Sequence, residues 1–337
     1  LEIAAKAANG ALIEDEFLVG ENLSLVEDPH VVTGSFADEY LALPERVILE
    51  VAKGHQRYFG VRAPDGTLMP RYLSVVNTAE NIPNIQRGND RVMRARLADA
   101  RFFYGEDMKV PLAERRKKLD GIVFQKRLGT MLAKAERIER LARELGLLVM
   151  LPEPTLMAAA SGAHLAKCDL VSLMVGEFPE LQGEMGRSYA IAQGVSPDVA
   201  DVILAHYQPK GAGDTVASTD AGALVAMADR LDTLVGCFGI GLTPTGAADP
   251  YSLRRACLGV LRTMLERGFD LRLADAFRAA YDGFSVKLDL PREELVAKLG
   301  DFFAERLKGL LADKLPMDAV QACLAVASGR PLDARAR

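Results

Sequence analysis

The stretch "AMADRLDTLVGCFGIG", Ala226 to Gly241, reads as the end of a helix that runs into a glycine-rich stop. It carries two aspartates, Asp229 and Asp232, three residues apart. Helices continue on both sides. Upstream, "LGTMLAKAERIERLARELG" places Leu128, Met131, Leu132, Ala135, Ile138, Leu141 and Leu145 at the three-four spacing of an amphipathic helix, with Gly146 as its stop. "LMAAASGAHLAKCDLVSLMVGEF", "PELQGEMGRSYAIAQG" and "SPDVADVILAHYQP" read the same way, as do "DPYSLRRACLGVLRTMLERG", "RLADAFRAAYDGF", "PREELVAKLGDFFAERLKGLLAD" and "MDAVQACLAVASG" downstream. Ser196, Ser218 and Asp249 supply capping starts. Residues 111–337 are therefore expected to form an all-α domain.

Residues 1–110 mix strand and helix signals. "HVVTGSF" (His30–Phe36) is strand-like, and "PERVILEVAKGHQ" begins a helix at Pro44 with Gly54 as its expected stop. "RYFGVRAPDGTLMPRYLSVVN" brackets Pro64-Asp65-Gly66 between alternating apolar runs and predicts a hairpin. "NIQRGNDRVMRARLADARFFY" reads as one helix or a broken pair with one apolar side and one basic side. The fold class expected is mainly α, with a mixed α/β portion ahead of the helical one.

No apolar run reaches the ~18 residues that span a bilayer, so no membrane anchor is expected. Cys168, Cys237, Cys257 and Cys323 lie far apart inside helical patterns, as reduced thiols of a cytoplasmic protein would. The chain opens on Leu1 without a signal-peptide pattern and reads as an internal part of a longer protein. A formal net charge of -5 argues against a wholly basic nucleic-acid binder, but the charge is uneven. Between Asn81 and Asp120 ten Lys and Arg face six Asp and Glu, and the next helix adds Lys126, Arg127, Lys134, Arg137, Arg140 and Arg143. Such a belt either tracks phosphates or is a solvated surface laced with local ion pairs. "HQRYF", with His55 beside an aromatic pair, suggests packing rather than catalysis.

Asp229 raises a sharper possibility. Metal-dependent HD phosphohydrolases use a histidine, an adjacent His-Asp pair and a distant aspartate to hold a cation that activates water. "MADRLDTL" looks like the last element. The central pair would fall at Lys167-Cys168-Asp169, where a lysine repels a metal, and His164, five residues before Asp169, would point elsewhere on a helix. The competing reading has Asp229 and Asp232 pairing with Arg230 or Arg254, or organising helix packing. Gly239 and Gly241 precede a proline turn without the lysine and hydroxyl of a phosphate-binding loop, while Arg254 and Arg255 leave a polar edge nearby.

Taken together, "KGHQRYFGVRAPDGTLMPRYLSVVN", "RGNDRVMRARLADARFFY", "LGTMLAKAERIERLA", "KCDLVSLMVGEFPELQGEMGRSYA" and "ADRLDTLVGCFGIGLTPTGAADPYSLRRACLGVLR" resemble, in order and spacing, the β subunit of bacterial heterotetrameric glycyl-tRNA synthetases. The resemblance implies an HD-like helical domain with its ligands lost, leaving Lys167, Cys168, Asp169 and Asp229 at the vestigial positions and no metal. It implies partners: an α subunit that carries out glycine and ATP chemistry with Mg, tRNA(Gly), and α-β or β-β assembly. It implies no catalytic residue and no cofactor in this stretch, which alone would be inactive. Candidate tRNA-binding residues are Arg94, Arg96, Lys126, Arg127, Lys134, Arg137, Arg140, Arg254 and Arg255. A metal-dependent HD-type phosphohydrolase is the alternative.

Overall fold

Alternating apolar residues and turn chemistry build a small antiparallel sheet near the N-terminus. The computed structural model describes residues 1–313 and 315–337; the side chain of His55 lies outside the described residues, and with it the packing role expected of that histidine. Strands β1 (Ala11–Leu12), β2 (His30–Ser35), β3 (Phe59–Arg62) and β4 (Leu68–Val76) stand in the order β1-β3-β4-β2, every neighbour antiparallel. The β3–β4 hairpin turns at Pro64-Asp65-Gly66 as the sequence suggests. Gly66 takes φ 87°, and the Asp65 carboxylate accepts from the Thr67 amide at 2.9 Å. Helices α1 (Glu2–Ala7) and α2 (Glu16–Leu25) bring Ala5 and Leu18 against Phe59, Val61 and Leu73.

Helix α3 (Glu45–Gln56) starts after Pro44 but does not stop at Gly54. The reversal falls three residues later, where Arg57 adopts the left-handed φ of 55°. The ambiguous basic stretch forms one helix, α4 (Ile82–Met108), which runs through Gly88 and Gly105 while burying Met93, Leu97 and Ala100. Asp90 of α4 ties it to the sheet, accepting from the Tyr72 hydroxyl at 2.7 Å and the Ser35 amide at 2.8 Å. Opposite Tyr72 only glycine fits at position 34, since a Cβ there would lie 2.1 Å from the ring.

The helical part continues with α5 (Leu112–Arg115), α6 (Met131–Leu148), α7 (Glu153–Leu165), α8 (Leu173–Glu177), α9 (Glu184–Ala192), α10 (Pro197–Ala205), α11 (Asp220–Gly239), α12 (Leu253–Arg267), α13 (Leu273–Tyr281), α14 (Arg292–Ala312), α15 (Met317–Ala327) and α16 (Pro331–Ala336). A short hairpin, β5 (Val123–Gln125) with β6 (Gly129–Thr130), interrupts the expected all-α run. The chain divides into two compact units, Leu1–Val110 with Ser172–Leu181, and Pro111–Val171 with Gln182–Arg337. In the first, Asp107 accepts from the Leu173 and Met174 amides, both at 2.9 Å, and so caps α8.

The second unit is organised around α11, which touches α6, α7, α10, α12 and α13. From Ala221 to Gly239 every residue is buried except Asp229, Arg230 and Thr233. A helix apolar on nearly all sides is what a central position demands. Its N-cap is Thr219, whose hydroxyl accepts from the Gly222 amide at 3.2 Å, not Ser218. α12 starts at Leu253 after Ser252, three residues later than a cap at Asp249 implies, yet the Asp249 carboxylate still accepts from the Leu253 and Arg254 amides at 2.7 and 3.0 Å. "HLAKCDLVSLMV" is not one helix. α7 ends at Leu165, Lys167 takes a left-handed φ of 69°, and Cys168–Val171 form a 3-10 turn.

Candidate functional site

Burying α11 leaves its two aspartates in need of charge partners, because an unpaired interior carboxylate is costly. Helix α6 presents Lys134 and Arg137 at the same three-residue interval, and the turn after α7 adds Lys167. Lys134 Nζ lies 2.8 Å from Asp229 Oδ1 and 3.1 Å from Asp232 Oδ2, while Lys167 Nζ lies 2.6 Å from Asp229 Oδ2. Lys134 also donates to Thr233 Oγ1 at 2.7 Å. Arg137 grips Asp232 with two donors, Nε at 2.5 Å and Nη2 at 3.2 Å. Aromatic faces enclose the cations: Phe124 sits 4.6 Å from Lys134 Nζ, Tyr207 4.1 Å from Lys167 Nζ and Phe284 4.3 Å from the Arg137 guanidinium carbon.

The electrostatics follow from this packing. Burial alone would raise the Asp229 carboxyl, but the ammonium groups of Lys134 and Lys167 outweigh it and hold the acid well below the usual carboxylate range. Burial likewise opposes the charge on Lys134, and Asp229 with Asp232 reverse that, so its affinity for the proton rises. Burial carries Lys167 below its ordinary value; Asp229 and, more weakly, Asp169 oppose that, while Lys134 adds to it. The Asp229 carboxylate thus meets two ammonium groups where a metal would need to sit. This donor set does not fit a divalent cation: both carboxylate oxygens are engaged by lysine, and two positive charges repel a third. Among the described residues no group of three or more His, Cys, Asp and Glu converges.

The other positions expected to be vestigial have structural partners. Asp169 Oδ2 accepts from the amides of Gly183 at 2.5 Å and Gly186 at 3.2 Å, pinning the start of α9. Cys168 is buried, and burial pushes its thiol up to about 12. His164 is exposed and faces Glu139 at 3.2 Å, away from Asp229. His206 is fully buried; its Nδ1 donates to the Ile203 carbonyl at 2.6 Å, which leaves Nε2 without a hydrogen-bond partner among the described residues. Burial drives its pKa down to about 3. Neither arginine proposed as a partner of Asp229 or Asp232 serves that way. Arg230 instead clamps the carbonyls of His206, Tyr207 and Pro209 at 3.2, 3.0 and 2.9 Å, and Arg254 holds the Gly246 carbonyl at 2.8 Å.

The same geometry sorts the cationic candidates. Lys134 and Arg137, only 3% and 8% exposed, are interior residues and no longer belong among groups that can reach RNA. Their place was legible in principle: Lys134 falls at the centre of the apolar face defined by Ile138, Leu141 and Leu145, which signals a buried counter-charge. Arg140 is half-buried, bonded to Glu144 at 2.9 Å and to the Ala279 carbonyl at 2.6 Å. Arg94 is exposed on α4, whereas Arg96 is half-buried, 4.0 Å from Glu177. Lys126 and Arg127 are exposed in the β5–β6 turn; Arg127 bonds Asp289 at 2.6 Å and the Ile240 carbonyl at 3.2 Å. Arg255 is exposed beside Ser252.

The basic side expected of "NIQRGNDRVMRARLADARFFY" takes shape on α4 and extends beyond Arg94 and Arg96, the two candidates named on it. Arg87, Arg91, Arg94 and Arg101 are all exposed on α4. At 100° per residue they fall within an arc of about 80°, along about 21 Å of helix. Arg101 pairs with Glu39 at 2.7 Å and Arg87 bonds Asn84 at 3.1 Å.

Comparison with known proteins adds to this geometry. A family model described as glycyl-tRNA synthetase beta subunit matches residues 1–325. The chain is 46% identical over 335 residues to a glycine–tRNA ligase beta subunit of Geobacter sulfurreducens, covering 99% of this chain and 48% of that protein. Beta subunits of Moorella thermoacetica and Geotalea daltonii are 46% and 43% identical, over 96% and 100% of this chain and 47% and 49% of theirs. The chain spans about half the length of the curated relatives it matches. No helix among the described residues is long and apolar enough to cross a membrane.

Proposed function

Because this chain belongs to the glycyl-tRNA synthetase beta-subunit family, we propose that it is a tRNA-holding, non-catalytic part of a glycine–tRNA ligase. In this reading an α subunit bound to the same assembly joins glycine to tRNA(Gly) in the cytoplasm, using ATP and Mg. The assembly is a heterotetramer, and this chain contributes contacts and no reacting group.

The observation that carries the reading is the exposed arginine face of α4. A-form RNA is gripped mainly at its phosphates and shallow minor groove, which suits cations spaced along a rigid helix. Arg87, Arg91 and Arg94 supply that surface in a chain whose net charge is -5. Arg255, Lys126 and Arg127 are further exposed candidates in the helical unit, and Arg254, Arg96 and Arg140 stand as lesser contributors because each is half-buried and already engaged. The ion-paired cluster at Asp229 supports a structural role for the HD-like frame: Lys134 and Lys167 take over the charge balance that a metal provides in hydrolases of that type.

The test is glycine charging by the α subunit supplied with the intact beta subunit. Arg91→Glu with Arg94→Glu is expected to raise the KM for tRNA at least about tenfold, with the melting temperature unchanged, since both side chains are exposed. An unchanged KM would remove α4 from the interface.

A further inference from the structure

The segment after α13 folds into a wall at the end of α11. Residues 281–291 line a cavity of about 330 Å³, with Tyr281, Phe284, Val286, Leu288, Leu290 and Pro291 as its apolar sides and Lys287 and Asp289 among its polar ones. The wall is held in place independently of any ligand. The Asp289 and Leu290 amides both donate to the Gly239 carbonyl at the end of α11, at 2.7 and 3.2 Å, and the Tyr281 hydroxyl donates to the Leu290 carbonyl at 3.0 Å. Leu288 packs so closely on Gly239 that a Cβ there would meet it at 2.8 Å. Phe284 is backed by the Arg137 guanidinium.

Cations stand at the rim of the cavity, Arg127 among them in an ion pair with Asp289. Arg127 reaches its edge through Asp289 at 2.6 Å, Lys126 precedes it in the same exposed turn, and Lys287 is exposed beside it. A volume in the range of small-ligand sites, aromatic and aliphatic walls, and cations at the rim fit a flat apolar body carrying phosphates on its flanks. We propose that this cavity takes one unpaired nucleobase of an RNA single strand, whose adjoining phosphates lie over Arg127 and Lys287. The proposal rests on the RNA-binding reading of the chain and adds a preference for single-stranded over paired RNA. Unpaired bases splay out and stack on aromatic rings, while bases inside a duplex do not present their faces.

The 337-residue chain is titrated with two RNA hairpins of identical stem, one blunt and one carrying a short single-stranded tail. The tailed hairpin is expected to bind about tenfold tighter, within what one stacked base contributes. Val286→Trp, which fills the cavity mouth from an exposed position, is expected to abolish that preference and leave blunt-hairpin binding as it was. Val286→Ala, which widens the mouth, is expected to keep it. Melting temperatures of both variants serve as the folding control. Equal affinity for the two hairpins, or a preference that survives Val286→Trp, would overturn the base pocket while leaving RNA binding intact. If neither hairpin binds at low salt, the RNA-binding reading falls and the pocket with it.

Discussion

Lys167 and His206 show how individual residues report on the interior. Replacing Lys167 with methionine keeps the bulk of its stem and removes one of the two ammonium groups on Asp229. Because the remaining carboxylate would be buried and half-neutralised, a loss of about 3–5 kcal/mol is expected in urea denaturation. Asp229→Asn in the same chain should recover part of it, since the uncompensated charge is then gone; a fully additive double variant would show that the two groups do not interact. His206 sets a pH dependence. Its ordinary pKa of 6.5 is pushed down to about 3 by burial, so the folded state keeps it neutral while the unfolded chain takes up a proton. That stability is fully present above the unfolded value and is lost as pH falls from 6.5 towards 3. Asp229 acts in the same direction at lower pH, where its carboxylate is protonated only after the unfolded one. Urea midpoints should therefore drop between about pH 7 and about pH 5, and His206→Gln should flatten that interval. None of this was visible in the local sequence: Lys167 and Asp229 are far apart along the chain, and only folding shows that they meet.

At the level of elements, periodicity carried most of the information. α6 and α12 were legible because each has one apolar face, and the β3–β4 hairpin because Pro64-Asp65-Gly66 encodes its turn. The misreadings share a cause, which is that tertiary contacts override local signals. Gly54 reads as a stop, yet α3 passes through it because the reversal is set at Arg57. The stretch from His164 to Val175 reads as one apolar helix, yet Asp169 draws the chain aside to bond Gly183 and Gly186. On α6, the basic residues were legible as a number and not as two populations. Arg143 is exposed, whereas Arg137 is enclosed with Asp232. Arg137→Glu should therefore cost about 3–5 kcal/mol of stability, because it sets two carboxylates together in the interior. Arg143→Glu should stay within about 0.5 kcal/mol. Thermal melts of the two variants, side by side, check this, and similar melting temperatures would mean that α6 is not packed as described. The start of α12 offers a milder test: Asp249→Ala removes the acceptor for its first two amides, and about 1 kcal/mol is expected.

Over the whole molecule, charge is segregated in a way that composition conceals. A net charge of -5 coexists with an exposed arginine face on α4 and with exposed Lys126, Arg127 and Arg255 in the helical unit. The family was legible from five motifs in register. Which of the cationic candidates stay at the surface was not, because that is a matter of which side chains remain outside once the core has claimed the rest. Lys134 and Arg137 were claimed by the core; Arg87, Arg91 and Arg94 were left to solvent. The central claim is that this face holds RNA by its phosphates. It is tested most directly by titrating the chain with tRNA(Gly) over a range of salt concentrations, with and without Arg87→Glu, Arg91→Glu and Arg94→Glu together. Binding by the unaltered chain should weaken steeply with salt as counterions return to the phosphates. The triple variant should bind at least about tenfold more weakly at low salt, with a slope shallower by about two to three ions. Equal affinity and equal slope for the two proteins would contradict the account.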